Sequence, residues 1–164
     1  MSRHASTAII LLLVLAASTV VLSACSGSSG TPAEIRFSLG TGDEAIAVRA
    51  VQFYVHDVQL LDAAGRPHPF RFDTEAPWQS GQVALVDLSG NAETVRNGTI
   101  RGTPADGTAG THTGIRFNIG VPFALNHANP LTAAAPLDRS QLFWTWQSGH
   151  KFLRVDLLDA GREW

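Results

Sequence analysis

Histidine is the residue type in this chain with the clearest capacity for chemistry. Five of the six histidines lie in its second and last thirds, at His56, His68, His112, His127 and His150. Imidazole is the commonest metal ligand in proteins. No two of these residues are three or four positions apart, so they cannot form a local chelate. A metal site would have to be assembled from separate strands and loops.

The chain lacks the patterns by which common enzymes cradle phosphate, activate a serine or hold catalytic zinc. Its carboxylates are scattered singly, Cys25 is its only cysteine and Met1 its only methionine. A blue-copper centre requires a cysteine thiolate, and methionine-rich carriers require thioethers. The sequence therefore predicts a non-enzymatic protein in which histidine, carboxylate and backbone groups would hold any metal.

His127 has the most suggestive surroundings of the five. It lies in a polar loop that follows a strongly alternating segment and is bracketed by Pro122 and Pro130. Asn126 and Asn129 flank it, and their amides are expected to orient the ring by hydrogen bonds, as partners of ligating histidines do. The alternative is an Asx-turn that carries a solvated histidine.

His56 lies where the longest alternating segment, residues 48–61, changes phase. The inward positions are Val51, Phe53 and Val55 before the change and Val58 and Leu60 after it. One extra residue at His56–Asp57 predicts a β-bulge, and bulges re-aim side chains beside binding sites. A strand that crosses between layers is the alternative.

His150 follows a glycine and two tryptophans, Trp144 and Trp146. Large aromatic side chains dominate the cores of small sandwiches, so both tryptophans are expected to be buried. The alternative is a stacking surface for sugars, which requires exposed rings and neighbouring polar groups. His68 and His112 are assigned no role, because they read as a loop residue and the opening of a strand.

The elements that must position these residues are predicted to be β-strands. Apolar and polar residues alternate with period two at 35–39, 115–121 and 153–157, and residues 83–88 form a short apolar run. These segments are separated by Gly, Pro, Asp and Asn. The pattern predicts one all-β domain, an antiparallel sandwich over residues 34–164.

Residues 1–24 are predicted to be a lipoprotein signal peptide, with a basic start and an uncharged apolar run from 8 to 22. The sequence Leu-Ser-Ala-Cys then matches a lipobox, which would make Cys25 the lipidated first residue of the mature protein. Residues 25–33 are predicted to be a flexible tether. Ser26, which is not Asp, favours the outer membrane. A single membrane-spanning helix is the alternative.

The balance of charge argues against nucleic acid as a partner. The 12 basic residues less Arg3 of the predicted signal leave 11 against 14 acidic residues, a net charge of −3. No basic stripe or patch is present in the sequence. Contact with the membrane is therefore expected through the lipid.

Three stretches together resemble the MbnP-like family of periplasmic or surface copper proteins, some of which are linked to methanobactin. They are FYVHDVQL at 53–60, IGVPFALNHANP at 119–130 and FWTWQSGHKF at 143–152. The likeness runs in order from about residue 35 to 157. The second and third stretches are the more specific ones.

The resemblance implies a β-sandwich that binds copper through histidines from separate segments, in some members beside a tryptophan oxidised by a di-haem peroxidase-like partner. Carried over by position, His127 in the Leu-Asn-His motif is the first ligand candidate, His56 the second and His150 the third. No tryptophan here can be matched to the modified one. The family usually continues into a His-Leu-Gly-Ser-Thr-Gly-Cys segment, which this chain lacks, so a closing strand is expected to be missing and an edge left unpaired.

The sequence thus predicts a lipid-anchored copper-binding protein of the periplasm or cell surface, for storage, scavenging or delivery of the metal. Zinc would also suit a histidine site. The alternative is a non-metal surface module that recognises a protein or a glycan, and a third possibility is a relative that has lost its site. Convergence of His56, His127 and His150 in space would favour the metal.

Overall fold

The computed structural model describes residues 31–39, 47–89, 96–107, 110–159 and 162–163. The predicted signal peptide, Cys25 and most of the predicted tether lie outside these ranges. Every strand pairing among the described residues is antiparallel, which confirms the all-β prediction. In the part described, no helix is long and apolar enough to cross a membrane.

The described chain forms ten strands and two single-turn 3-10 helices. The strands are β1 (Ala33–Arg36), β2 (Ala47–Leu61), β3 (Pro67–Phe72), β4 (Ala84–Asp87), β5 (Thr99–Pro104), β6 (Gly114–Ile119), β7 (Phe143–Thr145), β8 (Gly149–His150), β9 (Leu153–Asp159) and β10 (Arg162–Glu163). The 3-10 helices are η1 (Phe123–Leu125) and η2 (Ser140–Leu142). Strands β7 and β8 form a separate two-stranded ribbon, and the other eight strands are connected in the order β1-β5-β3-β2-β9-β10, with β4 and β6 also paired to β2.

Strand β2 is shared by four partners. Phe53 pairs with β4 on one edge and with β9 on the other, whereas Gln59 pairs with β3 and β6. Val55 pairs with both β4 and β6, so β6 continues the edge along which β9 lies. A strand of 15 residues therefore organises most of the domain.

Two apolar clusters lie against β2. The larger contains Phe37, Val51, Phe53, Val55, Val58, Leu60, Phe70, Phe72, Ala84, Val86, Leu88 and Ile100. The smaller contains Tyr54, Val83, Leu85, Val121, Leu137 and Leu142. Strand β4 is buried at all four positions: Ala84 and Val86 belong to the larger cluster and Leu85 to the smaller one. The fourth residue, Asp87, accepts a hydrogen bond from the buried Gln52 side chain at 2.8 Å. This agrees with the prediction of a strand covered on both faces at residues 83–88.

The predicted bulge in β2 is confirmed. His56 pairs with Asn118 and Gln59 with Arg116, so two residues of β2 oppose one residue of β6. Asp57 has a φ of 50°, the left-handed conformation that an extra residue in a strand can adopt. The phase reset keeps all five predicted inward residues in the larger cluster.

The prediction that Trp144 and Trp146 are buried is wrong. Their side chains are 68% and 74% exposed. Among the described strands, β7 pairs with β8 alone, and the buried side chains beside it are those of Leu142 and His150. Trp144 therefore points outwards, where the Lys151 ammonium lies 5.2 Å from the centre of its ring.

This exposure predicts how two aromatic truncations differ. Trp144→Ala should change the free energy of unfolding by less than about 1 kcal/mol, because an exposed ring leaves no cavity. Phe53→Ala should cost about 3 to 5 kcal/mol, because Phe53 is buried in the larger cluster. Urea denaturation of both variants measures the difference. Equal losses of stability would contradict the exposed placement of Trp144.

Candidate functional site

The loop that carries His127 is anchored at its start. Val121 is buried in the smaller cluster, Pro122 precedes η1, and the Leu125 amide donates to the Pro122 carbonyl at 2.8 Å. Leu125 packs against the smaller cluster, while Phe123 on the same turn is 90% exposed. One turn of helix thus fixes the loop and still leaves its outer side in solvent.

His127 lies on this outer side with one ring nitrogen held. Its Nδ1 lies 2.9 Å from the backbone carbonyl oxygen of Trp146. A carbonyl oxygen can only accept, so Nδ1 donates and carries the proton. The described residues give Nε2 no hydrogen bond, and the residue is exposed. In the neutral ring, Nε2 therefore presents a lone pair to solvent.

Asn126 and Asn129 do not orient the His127 ring as the sequence suggested. The Asn126 side chain accepts from the His150 amide at 3.0 Å and donates to the Ser148 carbonyl at 3.3 Å. Asn129 accepts from the Leu131 amide at 3.0 Å, an Asx-turn that shapes the loop. Both asparagines hold the backbone around His127, and a backbone carbonyl holds its ring.

Gly149 lets this loop and β8 approach each other closely. Its φ is +78°, and a Cβ at this position would lie 2.4 Å from the Asn126 carbonyl oxygen. Only glycine tolerates both conditions. The pair Asn126 and Gly149 therefore fixes the spacing between the His127 loop and the start of β8.

His150 is a buried structural residue in this arrangement, with 4% of its surface exposed. Its Nδ1 lies 2.8 Å from the Asn126 carbonyl and its Nε2 lies 3.1 Å from the Leu137 carbonyl. The rings of Tyr54 and Phe143 meet it edge-on, at centroid distances of 5.8 and 5.1 Å. Both ring nitrogens face backbone carbonyl oxygens within a buried pocket of the fold, so neither nitrogen is accessible to a metal.

His56 lies at the bulge, with its side chain 15% exposed. Its Nδ1 lies 2.9 Å from a carboxylate oxygen of Asp57, and the same oxygen accepts from the side-chain amide of Asn118 at 3.2 Å. The left-handed turn at Asp57 thus brings a carboxylate back beside the preceding ring. The described residues give Nε2 of His56 no hydrogen bond.

The three histidines do not form a ready ligand set. Among the described residues, no group of three or more His, Cys, Asp or Glu side chains is arranged to hold a metal. Their segments are nevertheless linked, because His150 bonds to Asn126 beside His127 and contacts the ring of Tyr54, two residues before His56. The structure leaves one nitrogen uncommitted on His127 and on His56, and none on His150.

His68 and His112, to which the sequence assigned no role, lie together at the far end of β2. Their ring centroids are 5.6 Å apart. His68 Nδ1 lies 2.7 Å from a carboxylate oxygen of Asp106, and its Nε2 lies 3.6 Å from one of Asp62. Asp62 also accepts from the Arg66 backbone and guanidinium, and the backbone bond is the largest cause that lowers its pKa to about 2. No local sequence signal points to this cluster, because its members come from four separate segments.

A class of protein follows from these features: an all-β domain that presents oriented histidines at the ends and edges of its strands. The sequence profile named MbnP matches residues 19–163, and the chain belongs to the MbnP family. MbnP from Methylosinus trichosporium has a similar structure, with a TM-score of 0.62 and 24% identity, over 81% of this chain and 59% of that chain. At this identity the likeness concerns the fold, and this chain spans 59% of the length of that relative. None of the curated proteins matches.

The His68 pair predicts a pH-dependent contribution to stability. The hydrogen bond to Asp106 raises the pKa of His68 above its usual value. A raised pKa in the folded state stabilises the fold fully below the unfolded value of about 6.5, and this contribution is lost as pH rises through the folded value. In metal-free buffer, His68→Gln should therefore lose more stability, relative to the parent, at about pH 6 than at about pH 9.

Thermal melts at the two pH values measure this difference. Asp106→Asn is the control, because it removes the hydrogen bond that is the largest cause of the raised pKa and should reduce the same pH dependence. A constant gap between parent and His68→Gln across the range would contradict the assignment.

Proposed function

We propose that this chain is an exported copper-binding protein that carries the ion as cargo, for storage, scavenging or delivery. Membership of the MbnP family supports the proposal, through the copper chemistry that the sequence resemblance implies. The observation that carries it is the His127 ring, whose Nδ1 donates to a backbone carbonyl while Nε2 is open. Ligating histidines almost always donate their second nitrogen in this way.

His56 is the second ligand candidate in this proposal. Its Nδ1 is held by the carboxylate of Asp57, which is the other common partner of a ligating histidine. His150 is ranked below both, because its two nitrogens already face carbonyl oxygens. The remaining ligands would be oxygen donors or water, since Cys25 and Met1 are the only sulfur-containing residues of the sequence. Zinc suits such a donor set as well as copper.

A second candidate function is a non-metal surface module for a glycan or a protein. The observation that favours it is the exposure of Trp144, Trp146 and Phe123, which are flat rings of the kind that stack on sugars. The Phe123 ring lies 6.5 Å from the His127 ring between centroids, and the backbone of Trp146 accepts from that ring. Such an exposed aromatic surface would suit the di-haem partner that the resemblance implies. Trp146→Ala should abolish glycan binding in the module hypothesis, whereas copper uptake should survive it.

The copper hypothesis predicts the effect of removing His127. His127→Ala should weaken copper binding by more than the roughly 10- to 100-fold that loss of an outer hydrogen-bond partner costs, because a ligand is removed. The fold should be unaffected, since the side chain is exposed. Copper content after dialysis and competition titration with a chelator measure the affinity, and circular dichroism checks the fold.

Leu131→Ala is the matched control, because Leu131 lies 85% exposed in the same loop and has no ligand atom. It should bind copper as the parent does. Copper binding by His127→Ala equal to that of the parent would show that His127 is not a ligand. If neither protein bound copper, the surface module would become the better hypothesis.

Export and lipidation form a separate part of the proposal. Cys25 follows the lipobox, and Ser26 favours transfer to the outer membrane, facing the periplasm or the cell surface. Cys25→Ser should leave the protein without a lipid and shift it from the detergent phase to the aqueous phase in a phase-partition assay. Retention of the variant in the membrane fraction would refute lipid anchoring through Cys25.

A further inference from the structure

His112 contains an unexplained buried nitrogen. Its Nδ1 is inaccessible to solvent and makes no hydrogen bond with the described residues. Buried polar atoms in folded proteins nearly always have a partner, and an exception calls for a cause such as a bound ion. The nearest ring is that of His68, whose centroid lies 5.6 Å away.

This separation fits two imidazoles that share one ion. With metal–nitrogen bonds of about 2.1 Å and a tetrahedral angle, the ring centroids of two ligating histidines lie roughly 5 Å apart. The distance from His68 Nε2 to the Asp62 carboxylate, 3.6 Å, exceeds that of a hydrogen bond. Two donor atoms on one tetrahedral ion lie roughly 3.4 Å apart, so the Asp62 carboxylate is near enough to place its charge beside an ion held by His68 Nε2.

Two further contacts give the pair the rigidity that a metal site needs. Asp106 accepts from Nδ1 of His68 at 2.7 Å, which directs Nε2 towards the cluster, as in carboxylate–histidine–metal arrangements. On the other side, Thr113 donates its amide to the Leu61 carbonyl at 2.8 Å and its hydroxyl to the Asp62 carbonyl at 3.0 Å. These bonds fix the backbone next to His112 against the end of β2.

We propose that His68, through Nε2, and His112, through Nδ1, bind one divalent transition-metal ion of the zinc type. Asp62 places a negative charge beside the ion, and water completes its coordination. Since no three described side chains are already arranged as ligands, the site has two protein ligands. We expect it to bind more weakly than a closed four-ligand site.

This second site is independent of the copper site proposed above. His112 precedes the first residue of β6 and His127 follows its last residue. The six strand residues, at about 3.3 Å each, put roughly 20 Å between the two ends of β6 from which these segments leave. One ion cannot bridge that distance. The two proposals therefore stand or fall separately.

Zinc titration of the full chain in detergent tests the proposal, with zinc chloride as the probe and calorimetry as the readout. His112→Ala and His68→Ala should each weaken zinc binding at this site by more than the roughly 10- to 100-fold that loss of an outer hydrogen-bond partner costs, whereas His127→Ala should leave it unchanged. Asp106→Asn should weaken it by roughly 10- to 100-fold, because the outer partner of a ligand is lost. Zinc should raise the melting temperature of His127→Ala, and it should raise that of the parent by more than that of His112→Ala.

The proposal is overturned if His112→Ala binds zinc with the stoichiometry and affinity of the parent, or if His127→Ala alone removes all zinc binding. Should His112→Ala fail to fold, the ¹⁵N shift of His112 Nδ1 in the parent decides: a large change on adding zinc supports the site, and no change refutes it. Copper uptake is measured separately with His127→Ala, so failure of the copper proposal is distinguishable from failure of this one.

Discussion

Backbone pairing along both edges of β2 is the constraint on which the rest of the domain depends. Four strands use this one strand as their hydrogen-bonding template, and its side chains enter both apolar clusters. A shift of register by one residue would exchange Tyr54 with Phe53 between the clusters, so the register is tightly specified. The bulge at Asp57 is what allows so long a strand to keep Val58 in the same cluster as Val55. The same bulge determines the position of His56, which is the residue directly before Asp57.

The strands themselves could be predicted from the sequence, because a half-buried strand leaves a period-two pattern wherever it lies. The bulge could be predicted for the same reason, since an inserted residue shifts that pattern. The partners of β2 could not, because Phe53 pairs with Leu153, 100 residues later, and nothing local records the choice. Burial of Trp144 was the wrong prediction, because the hydrophobicity of a side chain does not say which face of a strand it lies on. In a two-stranded ribbon only one face packs against the domain, and smaller residues occupy that face.

The candidate site was predictable to the same limited degree. A polar loop between prolines after a strong strand identified the surroundings of His127, but its orienting partner is a backbone carbonyl, which has no residue-specific signature. Burial of His150 depends on contacts with Asn126 and Leu137 that only the folded chain brings together. His68 and His112 were passed over because each is unremarkable in its own segment. They become notable only because the fold brings their two rings close together, and the spacing of the residues along the sequence does not predict that distance.

The close approach of Gly149 to Asn126 has an evolutionary consequence. Any side chain at position 149 would collide with the Asn126 backbone, so selection for a stable fold preserves this contact whatever the loop binds. His127, the residue after Asn126, is exposed and contributes little to stability. Only selection for the function of its ring can therefore preserve it. The loop backbone and the histidine that it carries are thus under different kinds of selection, for stability and for function. A lineage can lose the histidine by a single substitution and keep the loop intact, ready for another side chain to be tried at the same place.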